Sequence, residues 1–306
     1  MPIQTLLPRS ILLLLTAASV TVPAQADEEP KITFETSTGL SGDSNVGAPQ
    51  LDQSTGQGDI ALLLGGKIQL DVKPANKLTL RGGYEFNQTS YQDFDAFDLQ
   101  THRGFAEAEY DFSAVKAGFL ANYAHARLNQ EGYLDYTQIS PNISRLFGNS
   151  VYLRAAFVRT EKDFKTDDSR DADENAGRLD VFFFLDDTRQ YVTLGGEVGE
   201  EDAESDAFDR TNTSAKARFI QRMPLLGRDT KVRIGGEIEK RDYDAVTPSI
   251  SEAREDRIVS AESDLEIPLY GPVFMDVGYE YRDRNSNLES ADYDEHVGSV
   301  ELRLSF

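Results

Sequence analysis

Hydrophobic and polar residues alternate along most of the chain, and the alternation is clearest in its last ten residues, 297–306. Val300, Leu302, Leu304 and Phe306 occupy the even positions, whereas the odd positions from 299 onward carry serine or charged side chains. A period of two is the pattern of a β-strand with one apolar and one polar face. A strand that ends with the chain needs a hydrogen-bonded neighbour on each edge, which a closed barrel supplies. An edge strand of a soluble sandwich is the alternative.

The same alternation recurs upstream and predicts about 14 strands in all, each occupying roughly 20 residues together with its connection. Residues 59–72, for example, place Ile60, Leu62 and Leu64 on one face, and residues 77–87 repeat the pattern with Leu78 and Leu80. We therefore expect an all-β chain.

The connections fall into two classes that alternate along the chain. Short turns contain Pro, Gly, Asn and Ser, whereas longer polar connections, most of them acidic, are predicted at 41–58, 200–209, 243–255 and 285–293. Transmembrane barrels have short periplasmic turns and long extracellular loops, and a soluble sandwich has no reason to sort its loops in this way. The pattern thus predicts a transmembrane antiparallel up-and-down β-barrel of the bacterial outer-membrane type.

The first 26 residues have the features of a secretory signal peptide. Arg9 precedes a short apolar run, and Ala24-Gln25-Ala26 forms a cleavage site before Asp27. The apolar run is too short for a membrane-spanning helix. We expect two regions, a signal peptide at 1–26 and an outer-membrane barrel at 27–306.

Composition narrows the classes of partner. The chain has 53 acidic and 31 basic residues, a net charge of −22, which argues against nucleic acid as a partner. Cysteine is absent, which excludes thiolate metal sites and cysteine nucleophiles. The 13 Tyr and 17 Phe suffice for aromatic girdles at the membrane interfaces.

The face opposite the apolar one is heavily charged and is expected to line a wet lumen, because basic groups facing lipid at mid-membrane would cost about 2–4 kcal/mol each. The predicted lumen-lining residues are Lys67, Arg81, Glu107, Glu109, Arg154, Lys216, Arg218, Arg233, Glu237, Glu262, Asp264, Glu266, Asp276, Glu280, Arg282, Glu301 and Arg303. These charges either form a ladder of cross-strand pairs or divide a pore into basic and acidic blocks. Fourteen strands lie between the filled 8-stranded and the open 16-stranded barrels, so inward loops could narrow a channel.

We predict no enzyme, cofactor or metal site. His102 and His296 fall in the lipid-facing phase, and His296 points away from the face that carries Ser299. The acidic run at 171–175 lacks the glycine at the position that a calcium loop requires.

Two resemblances extend these predictions. The closing strand resembles that of bacterial outer-membrane proteins, which implies that Val300, Leu302, Leu304 and Phe306 form a signal read by the barrel assembly machinery. Outer-membrane lipid and lipopolysaccharide are the other expected partners.

The second resemblance is to the surface lipoprotein assembly modifier family, whose barrel domain has fourteen strands and takes part in displaying lipoproteins. It is carried by Asp43-Ser44-Asn45-Val46, by residues 281–287 (Tyr-Arg-Asp-Arg-Asn-Ser-Asn), by Tyr293-Asp294 and by the strand ending on Phe306. Family members place helical repeats before the barrel, whereas four residues separate the expected cleavage site from the first strand here. We therefore expect any cargo capture to need a separate periplasmic module.

Together these features predict an outer-membrane barrel for transport or secretion, as a pore or an export conduit for a polar solute or surface cargo. The alternative is a non-conducting structural or adhesion barrel that acts through acidic extracellular loops.

Overall fold

In a computed structural model, which describes residues 30–186, 188–225 and 227–306, the chain forms a closed barrel of fourteen antiparallel strands. Each strand pairs with its neighbours in sequence, and the last pairs with the first, so the predicted up-and-down barrel is confirmed. The expected signal peptide lies outside the described residues. The strands are β1 (Lys31–Asp43), β2 (Asp59–Ala75), β3 (Leu78–Tyr91), β4 (Leu99–Asp111), β5 (Lys116–Leu128), β6 (Glu131–Phe147), β7 (Val151–Phe164), β8 (Ala172–Asp186), β9 (Gln190–Ala203), β10 (Arg210–Leu225), β11 (Arg228–Thr247), β12 (Glu252–Tyr270), β13 (Val273–Ser286) and β14 (Tyr293–Ser305).

The outside of the barrel is apolar over a continuous belt. Large hydrophobic side chains on alternate positions are exposed, among them Ile32 (64%), Leu62 (46%) and Ile234 (54%). Aromatic residues flank the belt, with Tyr270 and Phe306 towards one end. An exposed belt of this kind is suited to lipid. Within the described residues, no helix is both long and apolar enough to cross a membrane.

The two ends of the barrel differ in their connections. We call the end that holds Lys31 and Ser305 the turn end, because most strands there are joined by two to four residues. The opposite end, the loop end, carries the connections 44–58, 92–98, 165–171, 204–209, 248–251 and 287–292. Short single turns of 3-10 helix occur in these loops at Pro49–Leu51, Asp95–Phe97, Asp168–Arg170 and Glu289–Ala291.

The loops at the loop end are shorter than predicted, because the strands extend beyond the apolar belt. The loop predicted at 200–209 begins only at 204, since β9 continues to pair with β8 up to Ala203 and Ala172. The loops predicted at 243–255 and 285–293 shrink in the same way. One connection at this end is a tight turn, in which Asn129 and Gln130 have φ angles of 48° and 64°.

Part of the interior is a packed apolar core rather than a charged lumen. It lies towards the loop end of β4 to β7 and contains Leu99, Ala124, Ala126, Tyr133, Leu134, Tyr136 and Phe164. Leu51 from the first loop and Leu128 pack against it. This core occupies the β4–β7 side of the barrel near the loop end.

Candidate functional site

The charged residues predicted for the lumen lie on the inward faces of their strands, and many are joined as ion pairs. On one side, Arg81 bridges Asp71 (2.5 Å) and Glu107 (2.9 Å), and Lys116 contacts Glu109 at 2.7 Å. Arg154 contacts the fully buried Asp180 at 3.1 Å. Other members line the two lumen cavities described below: Lys67, Lys216, Glu237, Glu280, Arg282 and Glu301.

On the opposite side, the basic and acidic blocks that the sequence places on adjacent strands contact each other directly. Arg218 on β10 reaches Glu262 on β12 at 2.5 Å, and Arg233 on β11 reaches Asp264 at 3.0 Å. Nearby, Arg303 on β14 is bound by Asp276 (2.8 Å), Glu266 (3.0 Å) and Glu35 (3.4 Å). The two blocks therefore largely compensate each other as pairs. Each pair still exposes part of its charge to the lumen.

The first loop, 44–58, folds into the barrel and crosses its mouth. Leu51 packs against the apolar core on β4 to β7, whereas Asp52 binds arginines on the far wall. Its carboxylate accepts hydrogen bonds from Arg254 on β12 and Arg284 on β13, both at 2.8 Å, and from Arg170 in the 165–171 loop at 3.1 Å. We call these four residues the Asp52 clamp.

The local sequence explains why the loop tip is held rigidly. Asn45 accepts hydrogen bonds from the hydroxyl of Ser54 (2.7 Å) and the amide of Gly56 (2.9 Å), which closes the base of the loop. Between this base and the loop tip, two short strands, Gly47–Ala48 and Gln53–Ser54, pair with each other. Asp52 itself has a φ of 54°, a left-handed conformation that aspartate tolerates better than most residues.

The clamp is largely buried, and Asp256 and Asp167 supply further negative charge to its three arginines. The side chains of Arg284 and Arg254 are 1% and 4% exposed, and both guanidinium groups also bind Asp256. Two arginines of the clamp donate to loop carbonyls as well, Arg284 to Pro49 and Arg170 to Gln50. Burial alone would raise the pKa of Asp52, but the hydrogen bond from Arg254 and the charges of Arg284 and Arg170 outweigh it and hold the pKa well below its usual range.

None of the four clamp residues is among the predicted lumen-lining charges. Arg284 could have been included, because it follows Arg282 by two positions and shares its inward phase. The sequence indicates the inward position of Asp52 only weakly. Its polar loop also contains two apolar residues, Val46 and Leu51, and Val46 is fully buried in the structure.

The described residues enclose an outer and an inner cavity inside the barrel. The outer one runs beneath the first loop, from Asp52 and Gln50 along β7 to β13. The inner one lies between β1 to β3 and β11 to β14 and includes Glu35, Lys67 and Arg303. Lys231 and Arg233 on β11 line both cavities, so the cavities meet at this pair.

The histidines lie away from these cavities. His102 and His296 each hydrogen-bond a tyrosine on the neighbouring strand, at 2.6 Å and 2.8 Å, and His125 contacts Asp135 at 2.6 Å. Among the described residues, no group of three or more His, Asp or Glu is arranged to hold a metal ion.

Comparison with known proteins identifies relatives by structure only. No protein-family model matches the chain, and no curated protein matches its sequence. An anion-selective porin from Comamonas acidovorans is similar with a TM-score of 0.52 and 8% identity, covering 91% of this chain and 99% of the porin. OmpT, an outer membrane protein of Vibrio cholerae, is similar with a TM-score of 0.51 and 9% identity, covering 91% of this chain and all of OmpT (100%).

At such low identity these similarities establish the fold alone. The closed fourteen-stranded barrel and its exposed apolar belt are those of a bacterial outer-membrane β-barrel, and they place the chain in the outer membrane.

Proposed function

We propose that the chain is an outer-membrane pore for small polar solutes. The observation that carries this proposal is the pair of cavities inside the barrel that meet at Lys231 and Arg233. A purely structural role would not require two charged cavities that meet at Lys231 and Arg233.

The first loop would act as a constriction. It crosses the mouth between the apolar core and the arginines of β12 and β13, so a solute must pass beside it. The apolar core occupies one side near the loop end, and the outer cavity runs along β7 to β13. A constriction that combines charged side chains with limited width selects solutes by size and charge.

The contents of the lumen favour small solutes over an exported polypeptide. Ion pairs such as that between Arg303 on β14 and Glu266 on β12 connect different strands across the lumen wall. The first loop is held by the apolar core on one side and by Arg254 on the other. A protein cargo would require many of these contacts to break together. Export of a surface cargo with a separate periplasmic module, as the family resemblance suggested, would need this larger rearrangement. One relative of the same fold is named an anion-selective porin, which agrees with conduction through a barrel of this type.

Uptake into proteoliposomes tests the proposal. Liposomes that contain the refolded chain should swell in an isosmotic solution of a small sugar and should not swell in one of a large oligosaccharide. Protein-free liposomes are the control. Swelling no faster than in that control would overturn the pore.

The second candidate is a non-conducting structural or adhesion barrel. The observation in its favour is the Asp52 clamp, since three arginines hold the loop across the mouth. This candidate predicts that neither the wild-type chain nor a variant with a weakened clamp admits any solute.

A further inference from the structure

Most cationic side chains of the lumen already have a carboxylate partner, so little of their positive charge is left to attract a solute. Arg218 and Arg233 contact Glu262 and Asp264, and Arg303 contacts three carboxylates. An ion pair of this kind is compensated locally, and its guanidinium is partly occupied by the hydrogen bonds of its partner.

Lys231 differs from these arginines. In the part of the chain that the structure describes, its ammonium has no carboxylate within 4.0 Å. Its neighbour across the ladder, Glu266, is bound instead by Arg303 at 3.0 Å and Arg222 at 3.7 Å. Lys231 shares the junction of the two cavities with Arg233, and its ladder neighbour Glu266 is already bound by two other cations.

Lys216 is the useful comparison. It too lacks an ion pair within 4.0 Å among the described residues, but its ladder neighbour Glu237 has no ion pair of its own there, whereas Glu266 opposite Lys231 is bound by two arginines. Lys231 is thus a lumen lysine whose ladder carboxylate is already bound by other cations. It also lies where the two cavities meet, so a solute that moves from one to the other passes it.

The outer cavity that leads to Lys231 is basic although the chain is acidic. Its lining contains ten basic and six acidic residues, in a protein whose net charge is −22. This inversion concentrates anions along the route to the junction.

An apolar wall lies beside the junction. Tyr191 on β9 pairs with Ile220 on β10, and Ile220 pairs with Arg233 on β11, so the three form one inward row next to Lys231. Phe182 on β8 lines the same cavity. A solute with an apolar body could contact this wall while its charge contacts the lysine.

From these observations we infer that Lys231 binds the carboxylate of a small organic acid, and that the apolar part of the acid packs on Tyr191. This inference names a substrate class for the proposed pore and rests on that function for its physiological role. The binding itself requires no conduction, so the two can be tested separately.

Binding is measured with benzoate on the folded barrel in detergent. Benzoate should raise the thermal unfolding temperature of the wild-type chain, and it should do so at lower concentration than acetate, which lacks the apolar body. Lys231→Gln should need at least about tenfold more benzoate for the same rise, because it removes a charge-assisted contact. Lys231→Arg should keep most of the effect. Lys240→Gln is the matched control, since Lys240 is exposed on the outward side of β11 and pairs with Asp242.

The reversal potential in a KCl gradient gives the second measurement. The wild-type chain should prefer chloride, and Lys231→Gln should shift the preference towards potassium while Lys240→Gln does not. If Lys231→Gln does not fold, Lys231→Met replaces it, because it keeps a flexible side chain of similar length without the charge.

The outcomes separate the inference from the proposed function. If Lys231→Gln loses benzoate binding and the wild-type chain passes no current, the anion site is supported and the pore is overturned. A wild-type chain that conducts, with unchanged benzoate binding and unchanged reversal potential in Lys231→Gln, would overturn the anion site and leave the pore standing. Equal binding of benzoate and acetate would overturn the role of the apolar wall.

Discussion

At the scale of single residues, Asp52 is the one on which the geometry of the mouth depends. One carboxylate serves three guanidinium groups, and two of these are almost fully buried. Removing one partner from a buried charge cluster typically costs about 3–5 kcal/mol, because the remaining charges are left uncompensated.

Asp52→Asn should therefore release the loop tip without unfolding the barrel. Asp256 still compensates Arg254 and Arg284, so the strands are expected to remain paired. The chain has no cysteine, which allows a single spin label at Gln53→Cys beside the clamp. The label should become more mobile in the Asp52→Asn background. Asp206→Asn, the same chemical change at an exposed position of another loop, is the control, and equal mobility in both backgrounds would contradict the clamp.

The clamp should also resist mild acid. The pKa of Asp52 is lowered, so its stabilising contribution is fully present above the usual carboxyl pKa of about 4 and is lost only as pH falls through the lower folded value. The spin label at position 53 should accordingly report the same mobility at pH 8 and pH 5. A marked gain in mobility at pH 5 would mean that Asp52 is not held as an anion by its arginines.

At the scale of elements, the sequence predicted strands well wherever one face touches lipid. Alternation such as Ile60, Leu62 and Leu64 opposite polar residues gives an unambiguous period of two. Beyond the apolar belt both faces of a strand meet water or polar groups, so the period disappears although the ladder continues. Glu200 and Asp202 face outward and Glu201 is buried inside, and the stretch was therefore predicted as a loop.

The inward position of the first loop could not be predicted for a different reason. Asp52 contacts arginines that are 118, 202 and 232 residues away in the chain, and no local pattern encodes contacts of that range. The turn at Asn129–Gln130 was missed because it adopts two positive φ angles without a glycine.

The closing strand is the element whose loss should affect assembly. Phe306 and Phe34 exchange two backbone hydrogen bonds, of 2.9 Å and 3.1 Å, which join β14 to β1. Val300, Leu302 and Leu304 lie on the same lipid-exposed face as Phe306. Deleting Phe306, or replacing Leu304→Asp, should reduce the fraction of folded barrel, measured by the difference in gel migration before and after boiling.

Phe306→Tyr is the conservative control, because it keeps the ring and both backbone hydrogen bonds. If the deletion variant inserted into the membrane as fast and as fully as wild type, the expected assembly signal at the end of the chain would be wrong.

At the scale of the whole molecule, the sorting of connections by length predicts the orientation in the membrane. The turn end should face the periplasm and the loop end the outside, as in other barrels. An epitope tag inserted in the 204–209 loop should be accessible to antibody on intact cells, and one beside Gly227 should be accessible only after the outer membrane is opened. The reverse labelling would contradict this orientation.

For the barrel to be a pore, the two cavities must form a continuous path past the first loop. Current through single copies of the purified chain in planar bilayers tests it most directly. We predict discrete current steps from the wild-type chain, larger steps from Asp52→Asn, in which the loop at the mouth is freed, and wild-type steps from Asp206→Asn. If neither the wild-type chain nor Asp52→Asn passes current at any applied voltage, the lumen is closed and the barrel is not a pore.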